Sequence, residues 1–212
     1  MNFIVTSCES GVETLPNSNS QYQAGLGQRI GLFGGSFNPA HEGHMHVAMT
    51  ALRQLQLDWV WWIVARGNPL KSSHGSFNDR LASARMVAKS PRMKVLDIEA
   101  RLGLTYTADT LAALKVRNRT SRFVWIMGSD NLDNFHHWRD WQTIGQTVPI
   151  AIVARPGGRP GNSPFERRFR NARCPSDCAT ILANSKTPAW LFLNAPLNRQ
   201  SSTKLRGKNT KA

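Results

Sequence analysis

From Arg29 onward, short apolar runs alternate with segments of helical spacing, and few folds accept a chain so ordered. RIGLF (29–33) stops at Gly34-Gly35, the pattern of a buried strand entering a tight turn. GHMHVAMTALRQLQ (43–56) places Val47, Thr50, Ala51, Gln54 and Leu55 at helical spacing. DWVWWIVA (58–65), rich in aromatic and β-branched residues, predicts a strand. NDRLASARMVAK (78–89) predicts a helix capped by Asn78, MKVLDIE (93–99) a strand, and TADTLAALKVR (107–117) a helix capped by Thr107. RFVWIMG (122–128) predicts a strand and SDNLDNFHHWRDWQTIG (129–145) a helix broken near His136. VPIAIVA (148–154) and AWLFLN (189–194) predict two more strands, and SSTKLR (201–206) a short capped helix. Such alternation implies an α/β fold, a mainly parallel sheet with helices on both faces. Ligands in such sheets bind beyond the carboxyl ends of the strands, where the strand order reverses. The loops after residues 33, 65, 128, 154 and 194 are therefore where chemistry is expected.

Composition narrows the class. The chain has 212 residues, 41% hydrophobic and 19% charged, enough for one packed domain. Residues 1–27 are polar and aperiodic and read as a mobile extension, leaving 28–212 as a single domain. No apolar run nears the roughly 18 residues of a membrane helix. The N-terminus lacks a secretory signal pattern, so a cytoplasmic protein is expected. Three cysteines do not make a disulfide framework, and Cys174 and Cys178 lack further ligands for a zinc site; no protein-held metal is expected. The net charge of +14 is uneven: residues 155–212 hold 12 Lys and Arg against 2 Asp and Glu. That third could draw nucleic acid or nucleotides, or be a solvated basic tail.

The first loop reads GLFGGSFNPAHEGHMH. Gly34 and Gly35 allow a phosphate near the backbone, whose N–H groups, with that of Ser36, can donate to it. His41 and His44 are three apart at a helix start and point to one face, where the helix N-terminus adds favourable partial charge for the same phosphate. His46 is spare and reads as a helix-surface residue. The loop is neither a Walker A sequence nor GxGxxG.

HxGH after a GGSF-type loop resembles the signature of the nucleotidyltransferase superfamily. The chain from about Arg29 to Arg206 looks like the bacterial nicotinate-nucleotide adenylyltransferases within it. That resemblance implies a Rossmann-like doubly wound sheet and adenylyl transfer from ATP to nicotinate mononucleotide in NAD biosynthesis. It places Gly34, Gly35, Ser36 and Phe37 at ATP. TYTADTL (105–111) is similar to YTxDTL, which implies that Tyr106 and Thr107 hold the nicotinate end. MGSDNLDNFHHWRDW (127–141) resembles GxD…W, with Gly128 and Asp130 on the ATP side and Trp138 stacking on the pyridine; Trp141 competes for that role. NPLK (68–71) matches a PPHK-like loop through Lys71, although Leu70 replaces its histidine. Arg80 matches a helix-start arginine, and ARPG puts Arg155 near the mononucleotide. QSSTKLR matches ISSTxxR, with Ser202 and Thr203 capping a phosphate-binding helix and Arg206 adding charge. Gln200 departs from the usual Ile, and only GKNTKA follows, which implies a more open adenine side.

The expected reaction is in-line attack by an ionised phosphate on the ATP α-phosphorus, with His41 and His44 on the phosphates and Lys71 and Arg206 supporting the leaving pyrophosphate. Mg²⁺ would come mainly on the ATP phosphates. A different acceptor, nicotinamide mononucleotide or phosphopantetheine, stays open, as does a basic nucleic-acid-binding protein, which the lack of a recognised binding motif disfavours. A homodimer is compatible with the sequence, which does not reveal oligomeric state.

Overall fold

The computed structural model describes residues 22–67, 75–156, 158, 161–196 and 202. Six strands, β1 (Arg29–Gly35), β2 (Trp59–Val64), β3 (Met93–Leu96), β4 (Arg122–Gly128), β5 (Ile150–Val153) and β6 (Trp190–Leu193), form one sheet. Every pairing is parallel and the order is β3-β2-β1-β4-β5-β6. The helices are α1 (Glu42–Gln54), α2 (Phe77–Val87), α3 (Ile98–Leu102), α4 (Thr107–Arg117), α5 (Trp141–Thr147) and α6 (Pro164–Arg168). The chain moves outward from β1 to β3, then crosses back to β4 on the other side of β1. The carboxyl ends of β1 and β4 therefore flank the switch point where a doubly wound sheet binds ligands.

Strand alternation divides the core in two. Phe33, Trp62, Val124 and Leu191 face α1 and α2, packing with Val47, Ala51, Leu52 and Leu81. Leu32, Trp61, Trp125 and Ile152 face the other way, onto Leu111, Leu114, Ile144 and Phe165 of α4, α5 and α6. Burying each such aliphatic or aromatic side chain contributes about 1.5–3 kcal/mol relative to exposure. The period-2 pattern of the strands thus fixes which helices cover which face.

Several local expectations change. The sequence read as strand 93–99 leaves the sheet at Leu96, and the Asp97 carboxylate is taken by Tyr22 Oη (2.5 Å) and Arg101 Nε (2.9 Å). Tyr22 is itself 1% exposed, and its carbonyl accepts from Asn118 Nδ2 at 2.9 Å. Residues 22–27, assigned by polarity to the extension, are therefore anchored to the fold. α2 is capped by Ser76, whose Oγ accepts from Asp79 N, rather than by Asn78. Thr107 is the first residue of α4 and Tyr106 its cap. The segment 129–145 is two 3₁₀ turns, Ser129–Asn131 and Phe135–His137, before α5 begins. Leu132 and Phe135 are drawn fully into the core, and Asp140 at φ 53° interrupts any continuous helix.

Candidate active site

One wall of the candidate site is built at the α1 N-terminus. His41 is extended (φ −157°, ψ 170°) and caps the helix: its Nδ1 accepts from Gly43 N at 3.0 Å, while His44 Nδ1 accepts from His41 N at 3.2 Å. This reciprocal capping box, made from two histidines, stacks the rings with centroids 3.9 Å apart. Because each Nδ1 accepts, the proton of each neutral ring belongs on Nε2. His41 is 5% exposed and its Nε2 is buried without a hydrogen-bond partner among the described residues. Burial, reinforced by the positive charge of Arg155, pushes the His41 pKa down to about 4. The ring is therefore neutral at pH 7, a donor held beside a cation.

Aromatic packing holds the pair in place. Phe37 lies 5.1 Å from His44 and 5.0 Å from Trp62, and Phe33 meets Phe37 edge-on at 5.5 Å. Phe37 is 2% exposed and sits at φ 47°, a conformation costing about 1–3 kcal/mol that this packing enforces. Its expected place at ATP is thus limited to its backbone, because the ring is in the core. Gly34 also gains a different reason. A Cβ there would stand 2.3 Å from Trp125 Cη2, so the position is small to admit an indole, whatever the phosphate requires.

The opposite wall comes from β4 and β5. Ser129 is fully buried; its Oγ accepts from Arg155 N at 2.9 Å and lies 3.3 Å from the carbonyls of Arg155 and Gly158, stitching the two loops together. Arg155 Nη1 lies 3.5 Å from Asp130 Oδ2. A Cβ on Gly128 would stand 2.3 Å from Asp130 Oδ1 and 2.5 Å from Arg155 Cδ, so that glycine makes room for the ion pair. Arg155 thus pairs with Asp130 and is close enough to His41 for its charge to act on that ring.

Trp125 is the floor joining the two halves. It packs under Gly34 and meets Trp138 edge-on at 6.2 Å. Trp138 is half-buried on Phe135 at 5.1 Å, and the neighbouring Arg139 lays its guanidinium 4.5 Å from the Tyr106 ring centroid. The 135–139 turn is thereby joined to the start of α4, where Thr107 lies. Trp141 instead packs on Phe135 and Phe169. Ser202 Oγ donates to Pro39 O at 2.9 Å, bringing that residue against the β1–α1 loop. Lys71, Thr203 and Arg206 lie outside the described residues.

Beneath the site is a buried polar network that sequence reasoning did not build. Arg80, 2% exposed, donates to the carbonyls of Gly75, Ser36, Ala65 and Arg66. It clamps the loops after β1 and β2 to α2. Glu99, 5% exposed, accepts from Arg66 N and Thr110 Oγ1, both at 3.1 Å. Burial pushes Glu99 up to about 7, against the pull of those two donors and of Arg80's charge. The one available signal was a lone glutamate in the apolar segment VLDIE. Among the described residues, no group of three or more His, Cys, Asp or Glu could hold a metal ion.

The cytidylyltransferase-like family model matches residues 32–208. A Caulobacter sp. protein named "Probable nicotinate-nucleotide adenylyltransferase" is 52% identical over 187 residues, 86% of this chain and 99% of its own. A Rhizobium meliloti protein of the same name is 50% identical, over 84% of this chain and 96% of its own. Among solved structures, the Plasmodium falciparum nicotinic acid mononucleotide adenylyltransferase complexed with NaAD shares the fold, with TM-score 0.67 at 19% identity, over 85% of this chain and 83% of that one.

Proposed function

The chain belongs to the cytidylyltransferase-like family and, within it, to the nicotinate-nucleotide adenylyltransferases, and from that premise we propose how its site performs their reaction. It transfers the adenylyl group of ATP to nicotinate mononucleotide, giving nicotinate adenine dinucleotide and pyrophosphate for NAD biosynthesis. The single observation that carries the mechanism is the histidine capping box: both Nδ1 atoms accept from the backbone, which puts the proton of each neutral ring on Nε2, the donor assigned here to phosphate.

The mononucleotide phosphate attacks the ATP α-phosphorus. A phosphorus–oxygen bond forms as the bond to the β-phosphate's bridging oxygen breaks, and pyrophosphate carries away that electron pair. A phosphate monoester is largely dianionic at pH 7, so no general base is required. The protein's part is positioning and charge stabilisation. His41 and His44 donate to the phosphates, and Arg155 adds positive charge beside them. Lys71 and Arg206 support the leaving pyrophosphate. Gly34, Gly35, Ser36 and the Phe37 backbone line the ATP phosphates, with Gly128 and Asp130 on the ATP side and Ser202 and Thr203 assigned to the same phosphates. Trp138 stacks on the pyridine, worth about 0.5–1.5 kcal/mol beyond its area, while Tyr106 and Thr107 hold its carboxylate end. Mg²⁺ would enter as part of the substrate, MgATP, where it would neutralise phosphate charge. One domain carries this activity, since a single sheet edge supplies the described site residues. No helix among the described residues is long and apolar enough to cross a membrane, and the cytoplasm is the proposed compartment.

Turnover with nicotinate mononucleotide, nicotinamide mononucleotide and phosphopantetheine, compared side by side, tests the acceptor. The nicotinate form should give the highest kcat/KM; equal or faster turnover of phosphopantetheine would remove the pyridine site from the account.

A further inference from the structure

The arginines of residues 161–173 take no part in this reaction, and they build a cleft of their own. An open cleft of about 380 Å³ lies along α6, lined by Gly161, Asn162, Arg167, Arg170, Arg173 and Trp190. Trp190 opens β6, at the end of that strand remote from the carboxyl edge where the histidines lie, and Arg173 forms an isolated parallel bridge with it. Three guanidiniums thus face one cleft outside the site described above.

Among the described residues lining the cleft, Glu166 is the one carboxylate, and it is taken. Its Oε2 accepts from Ser163 N at 3.0 Å and Ser163 Oγ at 2.9 Å, and both its oxygens accept from Gly161 N. No salt bridge is formed by Arg167, Arg170 or Arg173 among the described residues. Two of the three are braced without being neutralised. Arg167 Nη1 donates to Asn162 O at 2.8 Å, and the Arg173 guanidinium rests 5.3 Å from the Trp190 ring centroid. Trp190 is 2% exposed and its Nε1 donates to Phe169 O at 2.8 Å. The indole therefore offers no face for a base to stack on. The cleft reads charge, and guanidinium forks match phosphate oxygens in pairs.

We propose that the Arg167–Arg170–Arg173 cleft over Trp190 is a second anion site that takes an oligophosphate, either free or as the phosphate tail of a nucleotide. Its size suits a ligand with two or three phosphates. The absence of a stacking surface disfavours single-stranded nucleic acid, which relies on aromatic platforms.

The test is calorimetric titration of the full chain with inorganic tripolyphosphate near physiological ionic strength. Two binding events are expected, one at the active site and one in the cleft. Arg170→Ala is the clean variant, since Arg170 makes no side-chain hydrogen bond or ion pair among the described residues. R170A should weaken one event at least tenfold and R170A/R173A should abolish it, both with kcat and KM for adenylyl transfer unchanged. His44→Ala should weaken the other event instead, so a failure of the cleft is distinguishable from a failure of the catalytic assignment. Competition by ATP for the cleft event assigns it to a nucleotide's phosphates, and lack of competition assigns it to free oligophosphate. A single event in the wild type, or an isotherm that R170A/R173A leaves unchanged, overturns the proposal. Retention of the second event by R170A/R173A with only a salt-dependent loss does the same, because it assigns binding to diffuse basic charge.

Discussion

Glu99→Gln and His41→Asn should tilt the pH dependence of stability in opposite directions. Glu99 is nearly fully buried, and burial raises it from 4.5 to about 7. Between those values the folded chain keeps a proton that the unfolded chain releases, so stability falls as pH rises. The contribution is full below pH 4.5 and lost as pH climbs through 7, and a shift of this size corresponds to about 3 kcal/mol. His41 runs the other way. Its folded pKa is about 4 against 6.5, so as pH falls the unfolded chain takes up the proton first. That contribution is full above 6.5 and lost as pH falls through 4; with screening at the mouth of the crevice it is about 2 kcal/mol. In the wild type the two slopes oppose each other between 4.5 and 6.5.

Glu99→Gln should be tolerated sterically. Thr110 Oγ1 also lies 3.2 Å from Tyr106 O, so its hydroxyl can donate there while accepting from the new amide, and the amide oxygen still receives Arg66 N. Urea unfolding at steps from about pH 4 to about pH 8 reads the effect as variant minus wild type. E99Q should gain on the wild type by about 3 kcal/mol as pH rises across the window, whereas H41N should gain as pH falls. Curves for E99Q that run parallel to the wild type throughout would refute the buried-carboxylate argument.

Two other perturbations test the frame around the site. Arg80→Met removes the donor shared by four loop carbonyls and strips Glu99 of its nearby cation, and should cost about 3–5 kcal/mol in denaturant unfolding; a cost below about 1 kcal/mol would mean that the clamp is idle. Gly128→Ala forces a methyl into the space of Asp130 and Arg155, and should cut kcat/KM more than tenfold while costing only about 1–3 kcal/mol of stability; unchanged kinetics would separate that ion pair from the reaction.

The sheet was legible because its evidence is local. Leu32 and Phe33, Trp61 and Trp62, and Val124 and Trp125 announce strands buried on both faces. Boundaries were less legible where tertiary contacts overrode local pattern. Asp97 leaves the strand direction for Tyr22 and Arg101, and the Leu132 and Phe135 anchors split an apparent helix into turns. The site divides in the same way. His41 and His44 could be paired from spacing alone, but their Nδ1 capping bonds and Arg155's reach to His41 depend on how β5 sits beside β4. Arg80 entered only through resemblance, and Glu99 did not enter at all. A buried carboxylate or guanidinium is recognised by its partners, here mostly backbone groups of other loops, and no residue code records those. The glycines show the same limit: Gly34 suggested a nearby phosphate, whereas its missing Cβ makes way for Trp125.

The measurement closest to the central claim is pyrophosphate release from ATP and nicotinate mononucleotide by the wild type, His41→Ala and His44→Ala. Each histidine is assigned as an Nε2–H donor to charge that builds at phosphate, and losing one such donor should lower kcat by about 10²–10³-fold. The wild type should release pyrophosphate only when both substrates are present, in step with dinucleotide formed. A loss below about tenfold in both variants, equivalent to about 1.4 kcal/mol, would contradict the account.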